Sequence, residues 1–499
     1  MGLKKQQPLK RGAGVLLAVS SLPSPYGIGS FGKAAYDFVD FLKESGMIYW
    51  QILPLNPTSY GDSPYQSFSV FAGSPYYIDP DILVRHGLLT EEEVAEPDWG
   101  EAQDSVDYSA LYSNRFALLK RAFSRVNIDD FTEFVAFCEE HGGWLDDYAL
   151  FMAIKDSLGG IKWTEWPDGL RLRNKSAMDK AMDELREEVK FWKICQFYFY
   201  RQWGELKAYA NSRGVHIIGD MPIYVALDSC DLWSNYGLFQ VDKNRLPTHV
   251  AGVPPDMFSK TGQLWGNPLY NWAEMERQGF DWWQRRMHLY SKMYDIIRID
   301  HFVGIVHYYS IPAGAEDAVK GEWLPGPGEK LLLAISQYLD GGKIIAEDLG
   351  RVTMSVIKLR KKAGYPGMKL YQMAFDSDGK NQNLPGYYDR DTVAYGGTHD
   401  NETNVGFLAG QKRRVLRFAR EYLGVRLNRD IPWAMIRTAF ASSAAAVIFQ
   451  MQDYLTLDNR ARMNTPSTVG GNWKWRMTAE QISDELTEKL KRYCEVYGR

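Results

Sequence analysis

Three short segments of this chain each run from an apolar stretch into an acidic residue: I-I-R-I-D-H-F (296–302), I-I-A-E-D-L-G (344–350) and G-G-T-H-D-N-E-T (396–403). The acids are Asp300, Glu347 and Asp400. In a barrel of parallel strands, this is how carboxylates are delivered to the mouth where chemistry takes place. Arg298 and Asp300 lie two residues apart and so face the same side of a strand. A guanidinium there lowers the pKa of the carboxylate and keeps it ionised. A single acid at a strand end is often only a helix cap. Three in succession, one of them with its own arginine, suit a reaction that needs a nucleophile, a proton donor and a stabiliser of positive charge.

The elements that must position these acids are legible as eight β-rich runs, at 15–19, 49–53, 215–219, 296–300, 344–347, 367–371, 393–396 and 446–450. Near-continuous apolar runs of this length fit strands buried on both faces. Between the first two, Ala34, Tyr36, Phe38, Val39, Phe41 and Leu42 follow helical spacing up to Ser45-Gly46. Repeated β/α alternation predicts an α/β fold, a (β/α)8 TIM barrel. Its uneven spacing calls for large insertions around the C-terminal face. Residues 1–499 therefore read as one catalytic barrel unit, with insertion subdomains at about 56–190 and 225–275. The first insertion holds S-Y-G-D-S-P-Y-Q-S-F-S (59–69) and helical stretches near 115–156 and 180–212. The second holds A-G-V-P-P-D-M-F-S-K-T-G-Q-L-W-G-N-P (251–268), whose Gly and Pro density marks an ordered excursion or lid.

Composition narrows the class. Hydrophobic content of 45% and charged content of 24% are ordinary for a soluble globular protein. A net charge of −4, with no basic stretch read as offsetting it, argues against nucleic-acid and anionic-membrane partners. Lys4, Lys5, Lys10 and Arg11 make the start basic, but no apolar core of signal-peptide length follows. Cys138, Cys195, Cys230 and Cys494 form no C-x-x-C pair, so neither a zinc site nor a disulfide framework is expected. They read as buried thiols in a reducing cytoplasm. Cys494 lies near the stripe Ile482, Leu486, Leu490 and Tyr497 of a C-terminal helix opened by a Thr478/Gln481 capping box. The 69 aromatics (16 Trp, 30 Tyr, 23 Phe) are mostly core, but those in Gly/Pro/Asn-rich loops offer the flat apolar faces on which sugar rings stack.

The motifs G-x-L-x-x-V-S-S-L-P-S-x-Y-G-I-G-S-F-G (14–32), Y-G-D-S-P-Y-Q (60–66), G-D-M-P-I-Y-V-A (219–226), P-P-D-M-F-S-K-T-G-Q-L-W-G-N-P-L-Y (254–270), R-I-D-H-F, A-E-D-L-G, G-T-H-D-N and R-M-N-T-P (462–466) occur in this order. Together they resemble the amylomaltases, 4-α-glucanotransferases of the α-amylase clan, over about residues 14 to 476. The resemblance implies that Asp300 is the nucleophile, Glu347 the general acid/base and Asp400 the stabiliser that holds ring hydroxyls. It implies that Arg298 orients the nucleophile, that His399 and Asp220 bond the donor sugar, and that Tyr65 stacks on it. Trp265 and Phe258 would cover neighbouring subsites, Asp256 and Asn472 would make polar contacts to glucan, and Tyr60 and Tyr108 would belong to a second glucan-binding surface. The implied partners are α-1,4-glucans and maltooligosaccharides, with glucose as an acceptor. Two departures stand out: many relatives carry an aromatic where this chain has Met257, and an arginine where it has Val303. Asp348 and Glu402 adjoin the acids, but strand alternation turns them away, so they read as structural.

The chemistry agrees with the resemblance. A retaining mechanism needs two carboxyls about 5–5.5 Å apart, one attacking the anomeric carbon and one protonating the leaving oxygen. Burial and the charge of Asp300 would raise the pKa of Glu347. No cofactor fingerprint and no cluster of metal ligands is recognisable, so neither a cofactor nor a metal is expected. The rival readings are an α-1,4-glucan hydrolase of the same clan, which uses water as acceptor, and a catalytically silent glucan-binding protein, against which the intact acid set argues.

Overall fold

All eight expected runs form strands in the computed structural model, which describes every residue except 1, 60, 101, 127, 129, 130, 256–258, 377 and 378. They are β1 (Gly12–Leu16), β2 (Tyr49–Gln51), β3 (His216–Met221), β4 (Ile296–Ile299), β5 (Lys343–Ala346), β6 (Gly367–Leu370), β7 (Thr392–Tyr395) and β8 (Ala446–Gln450). The ladder is parallel throughout, in the order β6-β7-β8-β1-β2-β3-β4-β5, the curled sheet of a (β/α)8 barrel. β1 starts and ends three residues before its expected bounds. The three acids lie just beyond their strands rather than on them, because β4 and β5 end at Ile299 and Ala346 and β7 at Tyr395.

The ladder does not run across the seam between β5 and β6. There Ala346 donates its N–H to the Pro366 carbonyl at 3.0 Å, and Met368 of β6 donates its N–H to Asp348 Oδ1 at 2.8 Å. A third stitch comes from the start of the chain. The Gln6 side-chain amide accepts from Ile344 N–H at 2.6 Å and donates to the Ile344 carbonyl at 3.0 Å. Asp348 also pairs with Arg360 at 3.0 Å, so it does turn away from the barrel mouth into a structural role.

The first long connection is helical, and its last helix, Arg186–Ser212, leads into β3. The excursion at 251–268 is not a free-standing lid. Strands His249–Val253 and Gln263–Pro268 pair antiparallel, and the sheet continues through His307–Pro312 and Glu322–Pro325, which lie in the β4–β5 connection. The sequence reading placed no insertion there. At the C-terminus the Thr478/Gln481 box is present but opens only the short turn Ala479–Gln481; the helix proper is Asp484–Tyr497, capped by Ser483. Cys195, Cys230 and Cys494 are buried, whereas Cys138 is only partly so. Among the described residues no helix is long and apolar enough to cross a membrane.

Close strand packing makes one position unforgiving. Gly14 of β1 pairs with Tyr49 of β2, and a Cβ added there would collide with the Tyr49 carbonyl oxygen and Cβ. Backbone in a barrel ladder cannot move aside as a flexible side chain can. Gly14→Ala should therefore cost about 1–3 kcal/mol, the usual range for overpacking. A lowered midpoint in chemical denaturation checks it, and an unchanged midpoint would show that the β1–β2 spacing is elastic.

Candidate active site

The register of β3 against β4 sets Asp220 directly beside Arg298. Arg298 Nη1 lies 2.7 and 2.6 Å from the two Asp220 oxygens and 3.0 Å from Asp300 Oδ1. Asp220 is fully buried and the Arg298 side chain is 4% exposed, while Asp300 is 28% exposed at the cleft floor. Tyr65 donates its hydroxyl to Asp220 Oδ2 at 2.7 Å. One guanidinium thus joins a buried carboxylate, which itself anchors a tyrosine, to a carboxylate open to the cleft. The sequence placed Asp220 against sugar; here its side chain has no exposed surface and its oxygens meet Arg298 and Tyr65.

Burial raises the Asp300 pKa and Arg298 opposes it, with a net upward shift. Arg298 does lower it, as expected, but burial is the larger effect, because the cleft floor withholds more hydration than one shared guanidinium returns. Glu347, 7% exposed, is pushed up further: burial raises it, Arg298 opposes, and the Asp300 charge adds to the rise. Glu347 is held by backbone, accepting N–H groups from His301 at 2.7 Å and from Leu349 at 3.2 Å. His301 has a left-handed φ of 48°, and its ring meets the half-buried Trp265 edge to face at 4.9 Å. Burial lowers the His301 pKa to about 4, so its ring is neutral at ordinary pH.

Asp400 behaves oppositely. Burial works to raise its pKa, but His399, with Nε2 3.4 Å from Oδ2, and Asn464, donating to Oδ1 at 2.6 Å, hold it well below the usual carboxylate range. His399 is raised: burial opposes its charge and Asp400 outweighs burial. Its ring stacks on Tyr65 at 5.0 Å and 20°, and Trp473 leans on both at 5.8 and 5.9 Å. Arg462 donates to the Asp400 carbonyl at 2.8 Å and to the Asn464 carbonyl at 2.7 Å, fixing the R-M-N-T-P segment against this acid.

Asp300, Glu347, Asp400, Arg298, Asp220, His399, Tyr65 and Trp265 thus belong to one connected mouth. Tyr108 is half-buried at a helix start, with its hydroxyl on the Trp473 carbonyl at 2.9 Å, so it props the aromatic wall. Asn472 bonds Thr465 N–H at 3.0 Å and Thr468 Oγ1 at 3.0 Å, within its own loop. Glu402 accepts from Asn459 Nδ2 at 2.6 Å, a structural contact. Tyr60, Asp256 and Phe258, with Met257, lie outside the described residues. Among the described residues no group of three or more His, Cys, Asp or Glu is placed to hold a metal ion. The sequence reading missed His301, Asn464, Arg462 and Trp473. The first three stand inside quoted motifs, and only their tertiary partners reveal what they do.

The comparisons with known proteins bear on this geometry. The model of the 4-alpha-glucanotransferase family matches residues 17–482. The 4-alpha-glucanotransferase of Streptococcus pneumoniae (serotype 4) is 47% identical over 98% of both chains, and that of Thermus thermophilus is 44% identical over 98% of this chain and 99% of its own. The solved amylomaltase from Streptococcus agalactiae, in complex with acarbose, superposes with a TM-score of 0.95 at 40% identity, covering 98% of this chain and all of that one. The chain therefore belongs to the 4-alpha-glucanotransferase family.

Proposed function

We propose that this enzyme moves segments of α-1,4-glucan to the 4-OH of an acceptor sugar, maltooligosaccharide or glucose, by double displacement with Asp300 as nucleophile and Glu347 as acid/base. The observation that carries this reading is the tie between the two acids: the residue after Asp300 gives its N–H to Glu347 at 2.7 Å, and Arg298 contacts Asp300 from below. An Asp300 oxygen attacks the anomeric carbon while the C1–O4 bond breaks, and Glu347 gives its proton to the departing O4. The acceptor 4-OH then attacks the glucosyl ester, Glu347 takes its proton, and Asp300 is released. Asp400, held ionised, places negative charge near the oxocarbenium-like transition state. Tyr65 and His399 form the face on which the donor ring lies, with Asp220 and Trp473 supporting it. The competing outcome, hydrolysis, differs only in the acceptor.

Two substitutions separate the acids. Glu347→Gln should lower turnover on maltodextrin by roughly 10²–10⁴-fold, the usual span for a lost general acid. Asp300→Asn should lose more, since no covalent intermediate forms. A glucosyl fluoride donor needs little acid help, so it should revive the first step in Glu347→Gln alone. Equal revival in both variants would mean that the roles are misassigned.

Activity should follow a bell in pH, falling in acid as Asp300 takes up a proton and in alkali as Glu347 loses its own. Arg298 opposes the rise of both acids. Removing its charge in Arg298→Gln should therefore raise both pKa values and move both limbs of the kcat/KM profile to higher pH, along with a loss of rate. Limbs that stay in place would show that Arg298 acts by shape only.

Pure maltotriose should give glucose and a ladder of longer maltodextrins; glucose and maltose alone would indicate hydrolysis. Trp265, seated against His301 beside the acid, would exclude water and orient an incoming glucan. An oriented acceptor has an advantage over bulk water on the order of several kcal/mol in favourable cases. Trp265→Ala should thus lower the ratio of transfer to net reducing-end release. A ratio that holds or climbs would remove this strand from acceptor selection.

A further inference from the structure

The loop that carries His399 and Asp400 is held from its buried side by two residues to which no role has been given so far. It leaves β7 at Gly396 and ends where the helix Asn404–Ala409 begins. The strands flanking β7 are β6 and β8. Just past its mouth end each of them supplies one buried polar side chain: Gln372 in the turn Tyr371–Ala374 and Asp453 in the helical turn Met451–Tyr454. Gln372 holds both feet of the loop. Its N–H goes to the Gly396 carbonyl at 3.0 Å, and its Nε2 donates to the Glu402 carbonyl at 2.8 Å and to Asn404 Oδ1 at 3.0 Å. Asp453 reaches the same two feet from the other flank. Its Oδ1 accepts the Asn404 N–H at 2.7 Å, and a Cβ added at Gly396 would stand 3.1 Å from its Oδ2. A Cβ added at Gly397 would likewise stand 3.0 Å from Gln372 Nε2, so the two glycines let the loop rest directly on the two side chains.

This cluster is expensive to bury. Gln372, Asn404 and Asp453 are at most 4% exposed, and polar groups taken out of water cost free energy unless they are bonded. Even so, among the described residues Asp453 Oδ2 and Asn404 Nδ2 have no hydrogen-bond partner. Burial, opposed only by the Asn404 N–H, pushes the Asp453 pKa up to about 7, with no charged group contributing. The carboxyl therefore keeps its proton in mildly acidic solution. What the bonds fix is the path of residues 397–403, with Asp400 midway, four residues from Gly396 and four from Asn404. Asn464 and Arg462 touch Asp400 directly. Gln372 and Asp453 act on it only through the ends of its loop.

We propose that Gln372 and Asp453 are positioning residues for the reaction, a clasp from the two strands flanking β7 that sets where Asp400 and His399 meet the sugar. The proposal rests on the role given to Asp400 above. The test measures turnover of maltodextrin at about pH 6, where Asp453 is neutral. The variants are Gln372→Met, which keeps the length of the side chain and loses its donors, and Asp453→Leu, each checked for a thermal midpoint well above the assay temperature. Both should lose roughly 10²-fold in kcat/KM, the scale of a group misplaced by about 1 Å. Asp453→Asn keeps the acceptor and, like the protonated acid, offers a donor, so it should recover most of what Asp453→Leu loses. Each change is then repeated in two backgrounds. In Asp400→Asn it should cost several-fold less than in wild type, because only His399 is left to displace. In Glu347→Gln, assayed with glucosyl fluoride, it should cost the full factor, because Glu347 is fixed by other contacts.

A cost that is the same in all three backgrounds would show that the two residues only hold the fold together, and would overturn the proposal. So would a wild-type kcat/KM in Gln372→Met, or an Asp453→Asn variant no better than Asp453→Leu. Should Asp453→Leu fail to fold, Gln372→Met carries the comparison of backgrounds alone. The transfer reading fails separately: hydrolysis of maltotriose in place of a ladder leaves the clasp standing, since either acceptor meets the same Asp400. An Asp400→Asn variant as active as wild type would sink the role of Asp400 itself, and the clasp with it.

Discussion

The site depends on how one positive charge is divided. Arg298 is buried among Asp220, Asp300 and the floor of the barrel, and a guanidinium there is tolerable only because carboxylates face it. Most of its bonding goes to Asp220, the carboxylate with no exposure. What is left for Asp300 is one contact at 3.0 Å. That division leaves Asp300 ionisable but not quenched. A carboxylate gripped from both oxygens in a dry pocket would be held too far down to attack readily, and one without a cation would stay protonated. The same buried pair reaches the tyrosine under the sugar-binding face through Asp220, so charge balance and ring placement are set by one contact between neighbouring strands.

Charge is sorted across the mouth in a consistent direction. On the side of β4 and β5, burial prevails and both acids rise. On the side of β7, His399 and Asn464 prevail and Asp400 falls. Three carboxylates of like chemistry thus acquire three proton affinities from three surroundings, as a reaction with distinct acid, nucleophile and electrostatic roles requires. Backbone contributes as well. The left-handed turn at His301 aims an amide at Glu347, so the loop carrying Asp300 also fixes the position of Glu347.

The barrel could be read from sequence because its strands are apolar on both faces, and runs such as Ile296–Ile299 and Ala446–Gln450 have no surface-facing polar residues to blur them. The three acids could be read because each follows such a run. The partner of Arg298 could not, since Asp220 is 78 residues away and becomes its neighbour only through strand register. Nor could the balance on Asp300: the nearby arginine was visible, the lost hydration was not. The excursion at 251–268 was legible as ordered, but not its four-stranded sheet, because half of that sheet comes from the β4–β5 connection, whose strands His307–Pro312 and Glu322–Pro325 are short, and Glu322–Pro325 is partly exposed. Trp473, with φ of 64°, lies in a loop whose aim no periodicity reports.

The seam of the barrel gives the start of the chain an unexpected job. A parallel sheet that stops pairing leaves raw strand edges, and such edges invite foreign strands. The edge of β5 lies beside a proline, which has no N–H to offer, and Gln6 supplies what is missing by presenting its side-chain amide as a surrogate peptide unit to Ile344. Three residues beyond Ile344 stands Glu347. The strand that leads to Glu347 is therefore held in part by a glutamine near the start of the sequence. A tag, a trimmed start or a fusion partner that pulls Gln6 away would bare this strand edge three residues from Glu347 without touching the cleft.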